Sequence, residues 1–173
     1  MEVMVDLETL GKGPNAVIVS IGAVEFDVIT GHVGEGFYAV VDPESCERIG
    51  MKMDASTVVW WMSQGDNARK VFSDTSAVPI EEALRLFSSW FPSGSSVWGN
   101  GASFDNVILN NAYRAAEMQA PWEFWQDRCY RTLKNLSPAI FHERVGVHHN
   151  ALDDAKFQAE HAIKILQAMG VFL

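Results

Sequence analysis

The stretch MEVMVDLE (residues 1–8) and the longer run AVIVSIGAVEFDV (residues 16–28) place a β-sheet at the start of the chain. Both are rich in Val and Ile, residues that favour strands. Thr30-Gly31 then predicts a turn, and GFYAVVDP (residues 36–43) predicts a third strand. Because that turn is short, the second and third strands are expected to form an antiparallel hairpin.

Helical patterns dominate the rest of the chain. Pro79 occupies a position favoured in the first turn of a helix, and the apolar residues after it repeat with helical spacing. Asp54 is placed to cap a short helix that continues through Met62. The final helix is predicted from about residue 150 to 169, with Gly170 as its stop signal.

Between these helices the sequence predicts a short buried strand and another helix. Residues 96–98 form the predicted strand, residues 99–101 (Gly-Asn-Gly) end it, and residues 104–118 form the predicted helix. The segment 127–136 is predicted to be either a short strand or a helix. Three leading strands followed by alternating helices and strands indicate a mixed sheet with helices packed on it, in a single domain over residues 1–173.

Composition restricts the classes of protein to consider. Of the 173 residues, 48% are apolar and 20% are charged, the balance of an ordinary folded domain. No apolar run approaches the ~18 residues that a membrane helix needs, and the N-terminus lacks a secretory signal, so we expect a cytoplasmic protein with no membrane partner. Cys46 and Cys129 lie too far apart to form a metal-ligand spacing and are expected to be reduced thiols.

The formal net charge of −9 argues against a broad nucleic-acid-binding surface, because phosphates attract basic patches. That objection is weaker for a protein that grips only a few nucleotides at one chain end. Bound divalent cations would supply positive charge at the reacting phosphate. Part of the negative charge would then belong to the residues that bind those cations.

An acidic pair on the first strand is the first candidate for chemistry. Asp6 and Glu8 are two residues apart, so their side chains point to the same face of a strand. Neighbouring carboxylates repel each other, which raises the pKa of at least one of them, and a divalent cation relieves that repulsion. The alternative is a solvated strand end, since short acidic pairs often arise by chance.

Two further acidic candidates lie at predicted helix starts. Asp105 follows the Gly-rich turn, while Asp153 and Asp154 follow His149 and the candidate cap Asn150. Acidic residues favour the first turn of any helix, so each of them also has a purely structural explanation. The functional alternative is that Asp105 and Asp154 bind metal, and that His149, which titrates near neutral pH, takes a proton from water.

Three motifs, in this order, resemble those of the DnaQ-like 3'→5' exonucleases, in the subgroup with four acidic residues and a histidine. They are DLET at residues 6–9, NGASFD at residues 100–105 and HNALDD at residues 149–154, and the resemblance spans nearly the whole chain. The segment VVWWMSQGDNARKVF (residues 58–72) further resembles a branch that includes mycobacterial ribonuclease AS and phage exonucleases. The resemblance implies an α/β, ribonuclease-H-like fold with a central mixed sheet flanked by helices.

The resemblance also implies a role for each central residue. The expected ligands of two Mg²⁺ or Mn²⁺ ions are Asp6, Glu8, Asp105 and Asp154, and the expected general base is His149. The spacing of the third motif selects Asp154 rather than Asp153. The implied reaction is hydrolysis of single-stranded DNA or RNA from its 3' end to 5'-mononucleotides.

Other residues are candidates for substrate binding. The resemblance implies that Thr9 and Leu10 contact the terminal nucleotide, and that Phe104 is the bulky apolar residue beside the aspartate of the second motif. Asn100, in the Gly-rich turn, belongs to the same set. Of the adjacent Trp60 and Trp61 on the short helix predicted through Met62, at most one can face substrate, because neighbours on a helix do not share a face. Trp61 is the candidate, with core packing of both as the alternative.

Other functions fit parts of the same pattern. An endonuclease or another two-metal phosphodiesterase on this fold would leave internal fragments. A catalytically reduced nucleic-acid-binding or scaffold domain would have no need for clustered carboxylates, and a metal-binding protein without a nucleic-acid role leaves His149 unexplained. No motif reports contact with the 2' position, so DNA and RNA both stay open. Several members of the resembled family are homodimers, so a partner protomer could complete the groove.

Overall fold

The computed structural model describes residues 1–144 and 149–171, and a five-stranded mixed sheet organises these ranges. The strands are β1 (Glu2–Thr9), β2 (Ile18–Asp27), β3 (His32–Val40), β4 (Ser96–Gly99) and β5 (Asp127–Cys129), in the spatial order β3-β2-β1-β4-β5. β2 pairs antiparallel with both β1 and β3, whereas β4 and β5 extend the sheet in parallel. The expected mixed sheet and its antiparallel hairpin are therefore confirmed.

Helices cover both faces of this sheet. They are α1 (Pro43–Arg48), α2 (Ala55–Met62), α3 (Asp66–Arg69), α4 (Ile80–Trp90), α5 (Asp105–Ala115), α6 (Tyr130–Leu136) and α7 (Ala151–Ala168). Among the helices of the described ranges, none is long and apolar enough to cross a membrane. Cys46 and Cys129 are free thiols, as expected.

The side chains of β1 alternate between two apolar cores. Val3, Val5 and Leu7 pack with α4 and α5 on one face of the sheet. Met4 packs on the other face, with α6 and α7. Because the acidic pair of β1 shares the even-numbered positions with Met4, both carboxylates point to the side of the sheet that α7 covers.

Several boundaries differ from the sequence-based prediction. The third strand was predicted at residues 36–43 but ends at Val40, because Asp42 caps α1 by accepting from the backbone N–H of Glu44 at 3.1 Å. The helix predicted at residues 104–118 ends at Ala115. The ambiguous segment 127–136 contains both options, β5 followed directly by α6.

The two residues predicted to cap helices differ in what they do in the structure. Asp54 precedes α2 as predicted, but its side chain does not cap that helix and instead accepts from the backbone N–H of Lys12 at 2.7 Å. Asn150 does cap α7, accepting from the backbone N–H of Asp153 at 3.1 Å. Gly170 follows α7 with φ +67°, the left-handed conformation expected of a helix stop.

A glycine on β2 brings the start of α7 against the sheet. A Cβ at Gly22 would lie 2.1 Å from the carbonyl carbon of Ala151, so no larger residue fits between the strand and the helix. Gly22 is also the register partner of Asp6 on β1. The close approach therefore places the first turn of α7 beside the acidic pair of β1.

Candidate active site

A cleft of about 600 Å³ opens beside β1, on the face that α7 covers. All five central residues predicted from the sequence line it: Asp6, Glu8, Asp105, His149 and Asp154. They come from β1, from the start of α5 and from the start of α7. The fold thus joins three segments that are far apart in sequence.

Burial disfavours the ionised form of both carboxyl groups of β1. Desolvation raises the pKa of Asp6 well above its ordinary value, and the nearby charges of Asp105 and Glu8 add to that effect. Desolvation, together with the charge of Asp105, raises the pKa of Glu8 to about 8. The amide Nε2 of Gln158 donates to Oδ1 of Asp6 at 2.7 Å and partly offsets the shift. Burial therefore contributes more to the raised pKa of these two carboxyl groups than the expected repulsion between them.

Asp105 joins the pair from the N-terminus of α5. The backbone N–H of Leu7 donates to its Oδ1 at 3.2 Å, which ties α5 to β1 across 98 residues of sequence. Burial raises the pKa of Asp105 to about 7, although backbone N–H groups, that of Leu7 first, act in the opposite direction. A Cβ at Gly99 would lie 2.9 Å from Cβ of Asp105, so glycine there allows the close approach.

His149 and Asp154 complete the cluster from α7. The backbone N–H of His149 donates to Oδ2 of Asp154 at 3.2 Å. Ligand atoms of Glu8, His149 and Asp154 all lie within 4.8 Å of one another. Asp154 is buried and lines the cleft, whereas the backbone of Asp153 contributes to the cap of α7. Asp154 thus faces the cleft, and its choice over Asp153 as a metal ligand stays a prediction.

The ring of His149 rests against two tryptophans of α2. It meets Trp60 edge to face, with ring centroids 5.0 Å apart, and lies 6.0 Å from the ring of Trp61. The backbone of His149 has φ 62°, a left-handed conformation that is rare outside glycine. Aromatic contacts and backbone together fix the direction in which the imidazole points.

Sequence reasoning missed two residues of this site. The guanidinium of Arg144 pairs with Asp154 and lies 5.3 Å above the ring of Phe157, and its charge lowers the pKa of Glu8. No motif marks Arg144 in the sequence. Gln158 had a signal, because it lies four residues after Asp154 and so shares its helix face.

The predicted substrate-binding residues separate into groups. Asn100 and Phe104 line the cleft. Leu10 and Trp61 instead line a neighbouring apolar cavity of about 270 Å³. Thr9 is buried, and it is absent from the described residues that line these two cavities.

Burial argues against a stacking role for Trp61. Its side chain is 3% exposed, and its indole N–H donates to the carbonyl oxygen of Thr9 at 2.9 Å. Trp60 is 42% exposed and is the more accessible of the pair. Trp61 therefore corresponds to the core-packing alternative, in which it supports the site from beneath.

Known proteins resemble the chain in sequence and in fold. Residues 1–166 match the family described as the 3'-5' exoribonuclease Rv2179c-like domain. An exodeoxyribonuclease of Enterobacteria phage T4 is 25% identical, over 75% of this chain and 68% of its own length. The nuclease domain of 3'hExo, a DEDDh family member solved with rAMP, superposes with a TM-score of 0.64 at 15% identity, covering 99% of this chain and 94% of that one.

Larger enzymes share the same fold over part of their length. E. coli Exonuclease I, solved with a dA16 oligonucleotide, superposes with a TM-score of 0.64 at 15% identity, covering 97% of this chain and 41% of that one. At such low identity the likeness concerns the fold, which is the ribonuclease-H-like fold of DEDDh exonucleases. The expected fold class is therefore confirmed.

Proposed function

Since the chain belongs to the family of Rv2179c-like 3'-5' exoribonuclease domains, we propose that it removes 5'-mononucleotides one at a time from the 3' end of single-stranded RNA. Membership of this family makes the chain a 3'-5' exonuclease of the DEDDh class. The observation that carries the proposal is the convergence of four carboxylates and one imidazole on a single cleft. The name of the family supports RNA as the preferred substrate.

The cluster has the chemistry that divalent cations require. Carboxylate oxygens are the preferred ligands of Mg²⁺. Burial raises the pKa of Asp6, Glu8 and Asp105, and bound positive charge would favour their ionised forms. The guanidinium of Arg144 pairs with Asp154 and supplies one positive charge beside the cluster. Four residues would hold two Mg²⁺ or Mn²⁺ ions: Asp6, Glu8, Asp105 and Asp154. When bound, such ions activate water and stabilise the leaving 3' oxygen.

His149 would act as the general base. Its imidazole lies among the cluster, close enough to Glu8 and Asp154 that their ligand atoms fall within 4.8 Å of one another. Its ring direction is fixed by contact with Trp60 and Trp61. A proton from the attacking water would pass to this ring. Glu8 would also accept a hydrogen bond from the terminal 3'-OH, which favours substrates with a free 3' end.

Single-stranded DNA is a second candidate substrate. The T4 relative is named an exodeoxyribonuclease, and it matches three quarters of this chain. The test offers 5'-labelled RNA and DNA of one sequence with Mg²⁺ or Mn²⁺ and follows product length over time, with Asp6→Asn as the inactive control. We expect a descending ladder, faster with RNA. A faster ladder with DNA would reverse the substrate assignment, and internal fragments would overturn the exonuclease proposal.

Three further features complete the proposal, namely the extent of the domain, the location in the cell and the oligomeric state. Residues 1–173 would form one exonuclease domain, and the chain would act in the cytoplasm, where its free Cys46 and Cys129 stay reduced. A homodimer would let a partner protomer complete the substrate groove. Analytical ultracentrifugation tests that last feature, since a dimer sediments with the mass of two chains.

A further inference from the structure

One exposed aromatic side chain lines the cleft without belonging to the carboxylate cluster. Phe141 is 82% exposed and lines the cleft together with Pro138 and Ile140. Isolated exposed aromatics are ordinary, and Phe124 is comparable at 77%. Phe124, however, does not line the cleft. The position of Phe141, rather than its exposure alone, is what requires an explanation.

The segment that carries Phe141 is fastened to α7 on both sides of this residue. The carbonyl oxygen of Ile140 lies 2.8 Å from Nε2 of His161. On the other side, Nε2 of His142 lies 2.8 Å from a carboxylate oxygen of Glu160. The ring of His142 also stacks on Phe157, with centroids 5.1 Å apart. Phe141 is therefore held in place by its neighbours while its own ring stays open to solvent.

Positive charge also lines this cleft. Among the described lining residues, every acidic side chain belongs to the catalytic cluster, whereas Arg131 and Lys134 of α6 line the wall. The guanidinium of Arg131 is fixed by donating to the carbonyl oxygen of Asn100. In a chain with a net charge of −9, cations inside a cleft favour an anionic ligand.

We propose that Arg131, Lys134 and Phe141 form a track for the nucleotides that precede the terminal one. A base that precedes the last two nucleotides of the single strand stacks on Phe141, and the phosphates that connect it to the 3' end pass Lys134 and Arg131. This inference rests on the proposed exonuclease function. A single strand fits because its bases are unpaired and free to stack on an aromatic face, while its backbone requires positive charge.

The test compares substrate lengths. The variants are Phe141→Ala and the matched control Phe124→Ala, and the substrates are a dinucleotide and an eight-nucleotide single strand of the same 3' sequence. Loss of one stacked base is expected to raise KM for the longer strand about tenfold. The kcat, the dinucleotide kinetics and the control variant should all stay within twofold of wild type. Phe141→Trp, which keeps an aromatic face, should restore the wild-type KM.

The role of Lys134 is tested by the salt dependence of substrate binding. Lys134→Ala should reduce the slope of log Kd against log salt concentration for the longer strand by about 0.7, because one phosphate contact is lost. Lys70→Ala, an exposed lysine outside the cleft, should leave the slope unchanged.

The outcomes separate the track from the proposed function. If wild type degrades both lengths and Phe141→Ala leaves both KM values unchanged, the track is wrong and the exonuclease proposal stands. An equal loss on both lengths would place Phe141 in the catalytic cluster and overturn the track. A changed oligomeric mass with an unchanged KM would make Phe141 a protein contact, which also overturns it. If wild type releases no mononucleotide from either length, the proposed function itself fails.

Discussion

His149 combines an unusual backbone with a chemical role. Its φ of 62° lets its own N–H reach Asp154 while its ring turns toward α2. We predict that His149→Ala loses about 10²–10⁴-fold in rate, the usual contribution of a general base, yet keeps its metal affinity. The rate is measured on a 5'-labelled oligonucleotide, and metal binding by calorimetry on the same protein. A variant with a near-wild-type rate would remove His149 from the mechanism.

The carboxylates predict how the stability of the metal-free protein depends on pH. The pKa of Glu8 rises from its ordinary value of 4.5 to about 8 in the folded chain, and that of Asp105 rises from 3.8 to about 7. Between those limits the folded state binds more protons than the unfolded state, so stability falls as pH rises. The melting temperature in chelator should therefore decrease from about pH 5 to pH 8.

A matched variant isolates one of these carboxyl groups. Glu8→Gln replaces the carboxyl with a neutral side chain of similar shape, so its melting temperature should depend less on pH than that of wild type. Added Mg²⁺ should also flatten the dependence, because it stabilises the ionised carboxylates. A melting temperature that rises across this window without metal would contradict the assignment of raised pKa values.

At the scale of single residues, the sequence predicted correctly where the regular repeat of a strand determines the side to which a side chain points. Alternation along a strand was enough to put Asp6 and Glu8 on one face, and both side chains line the cleft. Sequence reasoning failed for Trp61, because adjacency on a helix shows that two residues diverge but not which one is buried. It also failed for Arg144, whose contact with Asp154 depends on the path of a loop that no periodic pattern describes.

At the scale of elements, the crossing of α7 over β2 determines the geometry of the site. The prediction is that Gly22→Ala destabilises the protein by about 2 kcal/mol or more, because its Cβ would overlap the backbone of Ala151 and Leu152. Chemical denaturation measures the change. Metal affinity should fall as well, since the first turn of α7 would move away from β1.

Gly13→Ala is the matched control for this substitution. A Cβ at Gly13 meets no atom within 4 Å, so the free energy of unfolding should stay close to that of wild type. Equal effects of the two substitutions would show that Gly22 does not set the distance between α7 and the sheet.

Element boundaries were harder to predict than element types. The Asp42-Pro43 pair begins α1, although the apolar run before it suggested a longer strand. The sequence did not distinguish a strand from a helix in segment 127–136, because β5 is only 3 residues long and passes directly into α6. Asp54 matched a capping pattern, but the backbone of Lys12, distant in sequence, took its carboxylate. Tertiary contacts of this kind leave no local signal.

At the scale of the whole molecule, the net charge of −9 is compatible with a nucleic-acid substrate. Four of the acidic residues converge on the cleft, where bound cations would neutralise them, and the remaining cleft charges among the described residues are positive. A nucleic-acid substrate would therefore meet a favourable electrostatic potential in the cleft, although the net charge of the chain is negative. Composition alone could not predict this distribution, because it contains no spatial information.

Metal binding should stabilise the folded chain as a whole. At a metal concentration 100 times Kd, the gain is about 2.7 kcal/mol, which corresponds to a rise in melting temperature of about 5–10 °C. Differential scanning fluorimetry with Mg²⁺ or Mn²⁺ measures the rise. Asp6→Ala removes one ligand and should show a much smaller effect. If metal raised the melting temperature of Asp6→Ala as much as that of wild type, the metal would bind elsewhere.

The central claim is that this cleft removes single nucleotides from a free 3' end. The most direct measurement follows two 5'-labelled RNA oligonucleotides of one sequence, one ending in a 3'-OH and the other in a 3'-phosphate, while mass spectrometry identifies the small product. The account predicts that the first oligonucleotide shortens one nucleotide at a time with release of 5'-mononucleotides, and that the second is largely protected. Internal fragments from both oligonucleotides would contradict it.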